Sequence, residues 1–101
     1  MTKIYILIPI YNDWESVSKL INEINFCIKD LDSEFSLIIV NDASNNYQKL
    51  NLENIESFKN IKIVNMKKNK GHARSIATGL KYIHEKKDYD YIIPMDGDGE
   101  D

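Results

Sequence analysis

The sequence predicts an α/β protein in which helices cover both faces of a mainly parallel four-stranded sheet. Four short runs rich in Ile, Leu, Val and Tyr are spaced along the chain. Between them lie segments whose apolar residues recur every three or four positions, which is the period of an amphipathic helix. Strands that alternate with helices in this way are joined by right-handed crossovers and pair in parallel.

The composition is that of a single globular domain. The chain has 101 residues, of which 43% are hydrophobic and 29% are charged, and its net charge is −3. This charge does not favour nucleic acid as a partner. No run is long enough to cross a bilayer, no signal peptide is evident, and Cys27 has no second cysteine to pair with. We expect a cytoplasmic protein, or one at the inner face of the membrane if the full-length chain is longer.

The first strand is predicted at residues 4–8, where an apolar run without alternation is typical of a strand buried on both faces. Pro9 cannot donate a hydrogen bond to a neighbouring strand and is expected to end it. A turn leads to Asp13, the predicted N-cap of a helix that reaches about Lys29. The buried face of this helix is predicted to consist of Trp14, Val17, Ile21, Ile24 and Ile28. A core position is favoured for Trp14 over a ligand-stacking role.

The middle of the chain contains two further strands and one weak helix. The second strand is predicted at residues 35–40 and ends in a run of turn-forming residues, 41–46. A short helix is predicted within residues 47–60, with Leu52, Ile55 and Phe58 at helical spacing, and a third strand at residues 61–66. Residues 67–71, which contain Lys67, Lys68 and Lys70 and close with Gly71, form a basic loop.

The last helix and strand complete the sheet. The helix is predicted from His72 to Glu85, and its apolar face comprises Ala73, Ile76, Ala77, Leu80 and Ile83. Gly79 lies inside this helix, where glycine is about 1 kcal/mol less favourable than alanine. A close approach of the helix to the sheet would explain why a glycine is present there. The fourth strand is predicted at residues 91–95. With the first strand in the centre, the strand order is 3-2-1-4, which is a Rossmann-like, three-layer arrangement.

An acidic cluster follows the fourth strand. Asp96, Asp98, Glu100 and Asp101 are separated by glycines that allow the backbone to fold tightly. Ligands of open α/β sheets bind at the carboxyl ends of the strands, and hard divalent cations such as Mg²⁺ prefer oxygen ligands. The cluster therefore suggests a divalent metal site, and a solvated acidic tail is the alternative.

Two other site types are disfavoured. An EF-hand calcium loop needs glycine at the position of Asp101 and a preceding helix rather than a strand. A dinucleotide-binding domain needs G-x-G-x-x-G after the first strand, and that motif is absent there.

Four motifs, in order along the chain, resemble the family 2 glycosyltransferases, which have the GT-A nucleotide-sugar fold. They are Ile-Pro-Ile-Tyr-Asn at 8–12, Ile-Val-Asn-Asp-Ala-Ser at 39–44, Asn-Lys-Gly-His-Ala-Arg at 69–74, and Met-Asp-Gly-Asp at 95–98. The resemblance implies that residues 1–101 form one N-terminal nucleotide-sugar-binding domain, and that this domain is an incomplete, truncated GT-A fold. It implies a nucleotide-diphosphate sugar as donor and leaves the acceptor, a polyprenyl phosphate or a glycan, open.

The resemblance also implies roles for residues of the nucleotide site. Pro9, Tyr11 and Asn12 would form the floor of the nucleobase pocket. Asp42 would accept a hydrogen bond from the base, and Asn41 occupies a position where many relatives have a second aspartate. Arg74 would lie near the base and the diphosphate.

The metal site is implied by the same resemblance. Asp96 would approach the ribose and the hydration shell of a Mg²⁺ or Mn²⁺ ion, and Asp98 would coordinate the ion that bridges the diphosphate. Glu100 is a third candidate ligand. No residue is assigned as the catalytic base.

A non-enzymatic alternative stays open, in which the chain is an inert module that binds nucleotide weakly or only self-associates. We expect that this chain alone transfers no sugar. We also expect a homo-oligomer that pairs through the exposed edge of the last strand.

Overall fold

A computed structural model gives the fold and describes residues 1–43, 55–86 and 88–95, apart from the side chain of His72. The elements are β1 (Thr2–Ile10), α1 (Trp14–Ile28), β2 (Ser33–Asn41), β3 (Phe58–Asn65), α2 (His72–Lys86) and β4 (Tyr91–Pro94). The strands form one sheet in the order β3-β2-β1-β4, and every pair is parallel. The predicted order is therefore confirmed.

Pro9 lies inside β1, so the prediction that it ends the strand is wrong. The carbonyl oxygens of Lys3 and Leu7 accept hydrogen bonds from Asp90 and Met95, on the side of β4. Backbone groups alternate in direction along a strand, so Pro9 points to the same side as Leu7. Its position lies beyond the last pair between the two strands, Leu7 with Pro94. The pairing with β4 thus ends where Pro9 has no N–H to donate, whereas β1 stays paired with β2 through Pro9 to Ile10.

The face of the sheet under α1 holds the larger core cluster. All five residues predicted for the buried face of α1 are buried, and Trp14 is only 1% exposed, which confirms its core position. They pack against residues from β1, β2 and β3, namely Ile6, Ile8, Ile10, Phe35, Leu37, Ile39 and Phe58. Asp13 precedes the helix as predicted, but its side chain makes no capping hydrogen bond. The backbone carbonyl of Asp13 accepts from Val17 N at 3.1 Å.

The buried residues of α2 differ in part from those predicted. Ile83 is buried and Ile76 is half-buried, whereas Ala73, Ala77 and Leu80 are exposed. The helix contacts the sheet through Ser75 and Gly79 instead, and both are buried. A Cβ atom on Gly79 would overlap Leu7 Cδ1 and would lie 3.0 Å from Val40 Cγ2. The predicted close approach of α2 to the sheet is confirmed, and the buried side of the helix contains Gly79 and Ser75 rather than the predicted alanines.

The prediction of a short helix within residues 47–60 is wrong at its C-terminal end, because β3 begins at Phe58. Residues 44–54, which include most of that helix, lie outside the described residues. Phe58, assigned to the helix from its spacing, belongs to β3, where it pairs with Phe35 and joins the core under α1. Just before the strand, Ser57 N donates to Asn25 Oδ1 at 2.9 Å and Ser57 Oγ donates to Asn25 O at 3.0 Å, which ties this segment to α1.

Candidate functional site

The carboxyl ends of β1, β2 and β4 lie along one edge of the sheet, called here the carboxyl edge. Ile10, the last residue of β1, pairs with Asn41, the last residue of β2. Beyond β4, Met95 N donates to Leu7 O at 2.8 Å. These three strand ends therefore lie together, as the predicted order 3-2-1-4 requires, and this is the edge at which open α/β sheets bind ligands.

The chain leaves β1 and β2 through residues in the left-handed region. Asn12 has φ 61° and Ala43 has φ 54°. Asparagine adopts this conformation more readily than most residues, whereas alanine in it is strained by about 1–2 kcal/mol. Strained backbone of this kind concentrates at functional sites, and here it lies at the carboxyl edge.

Asp42 forms hydrogen bonds at this edge through both its side chain and its backbone. Asp42 is buried, with only 4% of the residue exposed to solvent. Lys70 N donates to Asp42 Oδ1 at 2.8 Å, and Gly71 N donates to Asp42 Oδ2 at 2.9 Å. Asn69 Nδ2 donates to the backbone carbonyl of Asp42 at 3.3 Å. Both oxygens of the carboxylate therefore hold the end of the basic loop.

A cavity of about 70 Å³ opens at the same place. Its lining residues are Pro9, Ile10, Tyr11, Asp42 and Ser75. The structure thus brings together three residues predicted for the nucleotide site, Pro9, Tyr11 and Asp42. Ligand pockets are commonly 300–1,000 Å³, so this cavity is too small to enclose such a ligand by itself.

Ser75 is a residue of this site that the sequence analysis missed. It is fully buried, and its hydroxyl donates to Gly71 O at 3.1 Å and lies 3.5 Å from Met66 Sδ. A serine within a helical pattern normally indicates the solvent face. The available signal was its spacing of four residues from Gly79, which places both on one side of α2.

Three other predicted residues are exposed near the carboxyl edge, and three lie outside the described residues. Tyr11 is 44% exposed, Asn12 is exposed beside it, and Arg74 is exposed in the first turn of α2. Asp96, Asp98 and Glu100 lie outside the described residues. Within residues 1–43, 55–86 and 88–95, no group of three or more His, Cys, Asp or Glu side chains is arranged to hold a metal ion.

Asn41 faces the neighbouring strand. Its Nδ2 donates to Asn65 Oδ1 at 3.0 Å, and its carbonyl accepts from Met66 N at 2.9 Å. This residue is 7% exposed. It therefore joins β2 to β3 at the point where the basic loop begins.

A wider depression of about 590 Å³ lies at the opposite edge of the sheet. Its lining residues are Met1, Thr2, Asp32, Asp90 and Tyr91. These residues stand at the amino ends of the strands, where open α/β sheets rarely bind their ligands. The carboxyl edge is therefore the better candidate despite its smaller cavity.

Comparison with known proteins identifies the family. Residues 5–101 match the sequence model of "Glycosyl transferase family 2". The chain belongs to this family. It is also similar to the undecaprenyl-phosphate 4-deoxy-4-formamido-L-arabinose transferase of Proteus mirabilis (strain HI4320), with 32% identity over 101 residues. That match covers 97% of this chain, and the chain spans about 29% of the length of that relative.

Solved structures support the fold. A structure of residues 1–349 of S. aureus TarS matches this family 2 chain with a TM-score of 0.67 and 21% identity, over 96% of this chain and 28% of that one. A second structure of S. aureus TarS gives a TM-score of 0.67 and 20% identity, over 96% of this chain and 17% of that one. The predicted GT-A-like α/β fold is confirmed. In the described part of this family 2 chain, no helix is both long and apolar enough to span a membrane.

Proposed function

We propose that the carboxyl edge binds a nucleoside-diphosphate sugar and presents it for glycosyl transfer. The observation that carries the proposal is the position of Asp42. Its buried carboxylate lies between a cavity lined by Pro9 and Tyr11 and the basic loop that precedes α2. A base-binding surface and a cationic surface are thus joined through one residue.

The nucleobase is assigned to the surface formed by Pro9, Tyr11 and Asn12. Tyr11 exposes part of its ring beside the cavity, and an aromatic face can pack on a planar base. Asp42 already accepts from two backbone N–H groups. Because a carboxylate has about four lone-pair sites, it retains the capacity to accept a further hydrogen bond from an N–H of the base.

The diphosphate is assigned to the basic loop and the start of α2. Lys67, Lys68 and Lys70 are exposed in this loop, and Arg74 is exposed in the first turn of the helix. The amino end of a helix also carries partial positive charge, which favours anions. Both effects attract the same negatively charged group.

A divalent metal ion, Mg²⁺ or Mn²⁺, is assigned to Asp98, Asp96 and Glu100. These residues follow Met95 in the sequence, and Met95 is bonded to Leu7 at the carboxyl edge. Their carboxylate oxygens are the donor type that hard cations prefer. When bound, such an ion stabilises the negative charge that develops on a leaving diphosphate.

The acceptor is proposed to be a polyprenyl phosphate. The support is the name of the Proteus mirabilis relative, which is an undecaprenyl-phosphate sugar transferase. Because no sugar transfer is expected of this chain alone, binding of short polyprenyl phosphates, compared with binding of soluble glycans, tests this assignment. Binding of glycans alone would contradict it.

Calorimetric titration of UDP and GDP tests the donor site. We expect binding in the presence of Mn²⁺, weaker binding with a chelator, and a similar loss in Asp98→Asn. Asp13→Asn is the matched control, since Asp13 lies near the same edge and its side chain makes no capping bond. Equal affinity with and without the metal would reject the metal assignment, and absence of binding would reject the donor site.

A further inference from the structure

We infer that Asp42 is a positioning residue that fixes the basic loop before any ligand binds. This role is distinct from the hydrogen bond to the base assigned above. Its effect on phosphate binding rests on the proposed function, whereas its effect on the conformation of the loop does not.

The geometry of the carboxylate carries the inference. Its two oxygens accept from two consecutive N–H groups, those of Lys70 and Gly71, which lie 28 and 29 positions away in the sequence. A buried charge is unfavourable unless it is paired or hydrogen-bonded, and hydrogen bonds to an ionised group are among the stronger ones. The buried position of Asp42 therefore strengthens the attachment of the loop.

Asp42 also links the loop to the centre of the sheet. Its own N–H donates to Ile10 O at 2.8 Å. One residue thus joins the end of β1, the end of β2 and the start of α2. The basic loop is attached to the edge at its start as well, where Met66 N donates to Asn41 O at 2.9 Å.

The end of the loop gains little from other described packing. Gly71 has φ 88°, and a Cβ built at this residue would meet no atom within 4 Å. The bond from Ser75 Oγ to Gly71 O lies within the start of α2 and does not attach it to β2. Packing of Gly79 and Ile83 holds the body of α2 on the sheet. The carboxylate of Asp42, with the bond from Asn69 to the Asp42 carbonyl, therefore holds Lys70 and Gly71, the residues just before the helix.

Amide hydrogen exchange in the absence of ligand tests the inference directly. We expect slow exchange at Lys70 N and Gly71 N in the wild-type protein. In Asp42→Asn, which replaces one acceptor by a donor at equal size, exchange at both amides is expected to rise roughly ten- to a hundredfold. The control Asp13→Asn should leave both rates unchanged.

Two results would overturn the inference. The first is wild-type exchange at Lys70 and Gly71 as fast as at Lys67 and Lys68, and this measurement needs no variant to fold. The second is slow exchange that persists in Asp42→Asn.

A second measurement separates positioning from base recognition. Inorganic pyrophosphate with Mn²⁺ has no base for Asp42 to contact, so a positioning role predicts that Asp42→Asn weakens pyrophosphate binding. The hydrogen bond to the base assigned above would add a further loss for UDP. Loss of UDP affinity with unchanged pyrophosphate affinity would contradict it. If the wild-type protein binds neither ligand, the proposed donor site fails, and amide exchange alone still decides the role of Asp42.

Discussion

Gly79 of α2 lies so close to Leu7 of β1 that a methyl group on the glycine would overlap the leucine side chain. Leu7 is completely buried and cannot move aside freely. Val40, on the next strand, stands 3.0 Å from the same point. The backbone of α2 therefore rests directly on the side chains of two neighbouring strands.

Gly79→Ala should destabilise the protein although alanine is the better helix former. Overpacking of a tight core costs about 1–3 kcal/mol, and the gain in helix propensity is about 1 kcal/mol, so we expect a net loss of about 1 kcal/mol. Urea unfolding measures it. Ala77→Gly, at an exposed position of the same helix, is the matched control and should lose about 1 kcal/mol from propensity alone. A Gly79→Ala variant more stable than wild type would refute the close contact.

Gly71 should tolerate asparagine better than alanine. Its φ of 88° is unfavourable for residues with a Cβ, and no neighbouring atom limits the space. Backbone strain of about 1–2 kcal/mol then sets the effect of alanine, and asparagine, which enters this region more readily, should lose less. Thermal unfolding of the two variants gives the order. Equal stability of Gly71→Ala and the wild type would show that the loop takes another conformation.

Ala43→Gly should stabilise the protein. Ala43 has φ 54°, and glycine relieves this strain while adding some freedom to the unfolded chain. We expect a gain of about 0.5–1 kcal/mol in the free energy of unfolding. Ala73→Gly, at an exposed position of α2, is the comparison and should lose stability. A loss of similar size in both variants would contradict the left-handed conformation of Ala43.

The ion pair between Lys3 and Asp88 predicts a pH dependence of stability. The hydrogen bond and the charge of the partner raise the pKa of Lys3, and the hydrogen bond from Lys3 lowers the pKa of Asp88. The contribution of Asp88 is present above the ordinary aspartate pKa, about 3.9, and is lost as pH falls through its lowered pKa. That of Lys3 is present below the ordinary lysine pKa, about 10.4, and is lost as pH rises through its raised pKa.

Urea unfolding of wild type and Asp88→Asn across this range checks the prediction. The difference between them should be small, constant between about pH 5 and pH 9, and reduced by salt, because the pair is exposed. It should shrink at lower and at higher pH. Asp30→Asn, at another exposed aspartate, is the control. A difference that does not change between pH 7 and pH 2 would argue against the ion pair.

Self-association through β4 stays a prediction, and the structure sharpens its test. In the described part of the chain, β4 is an outer strand of the sheet, and Tyr91 and Ile93 are 63% and 39% exposed. Ile92 packs with the core under α2, so a charge there would perturb the fold. Ile93→Lys is the better variant. We expect light scattering to show a dimer for the wild type and a monomer for Ile93→Lys, and a wild-type monomer at tenfold higher concentration would end the hypothesis.

The buried face of α1 could be predicted from the spacing of its apolar residues. The strand order could be predicted from the alternation of strands and helices, with the first strand in the centre. The face of α2 could not, because its contact with the sheet is decided by a missing side chain at Gly79 and a small polar one at Ser75. The prediction for Pro9 considered only its missing N–H, whereas the strand continues through it because the pairing with β2 does not use that group. The position of Asp42 at the edge followed from β2, but its bonds to Lys70 and Gly71 join residues far apart in sequence and required the structure.

The pairing of β1 with β4 has a consequence for folding kinetics. Asp90 N donates to Lys3 O, and Lys3 N donates to Asp90 Oδ2, across a separation of 87 residues. Closing so long a loop carries a larger entropic penalty than closing the shorter loop between β1 and β2, and β4 contributes only four residues to the sheet. We therefore expect β4 to join late and to detach first in subglobal opening. The carboxyl edge beside β1 would then open and reclose on its own timescale while β1, β2 and β3 stay paired.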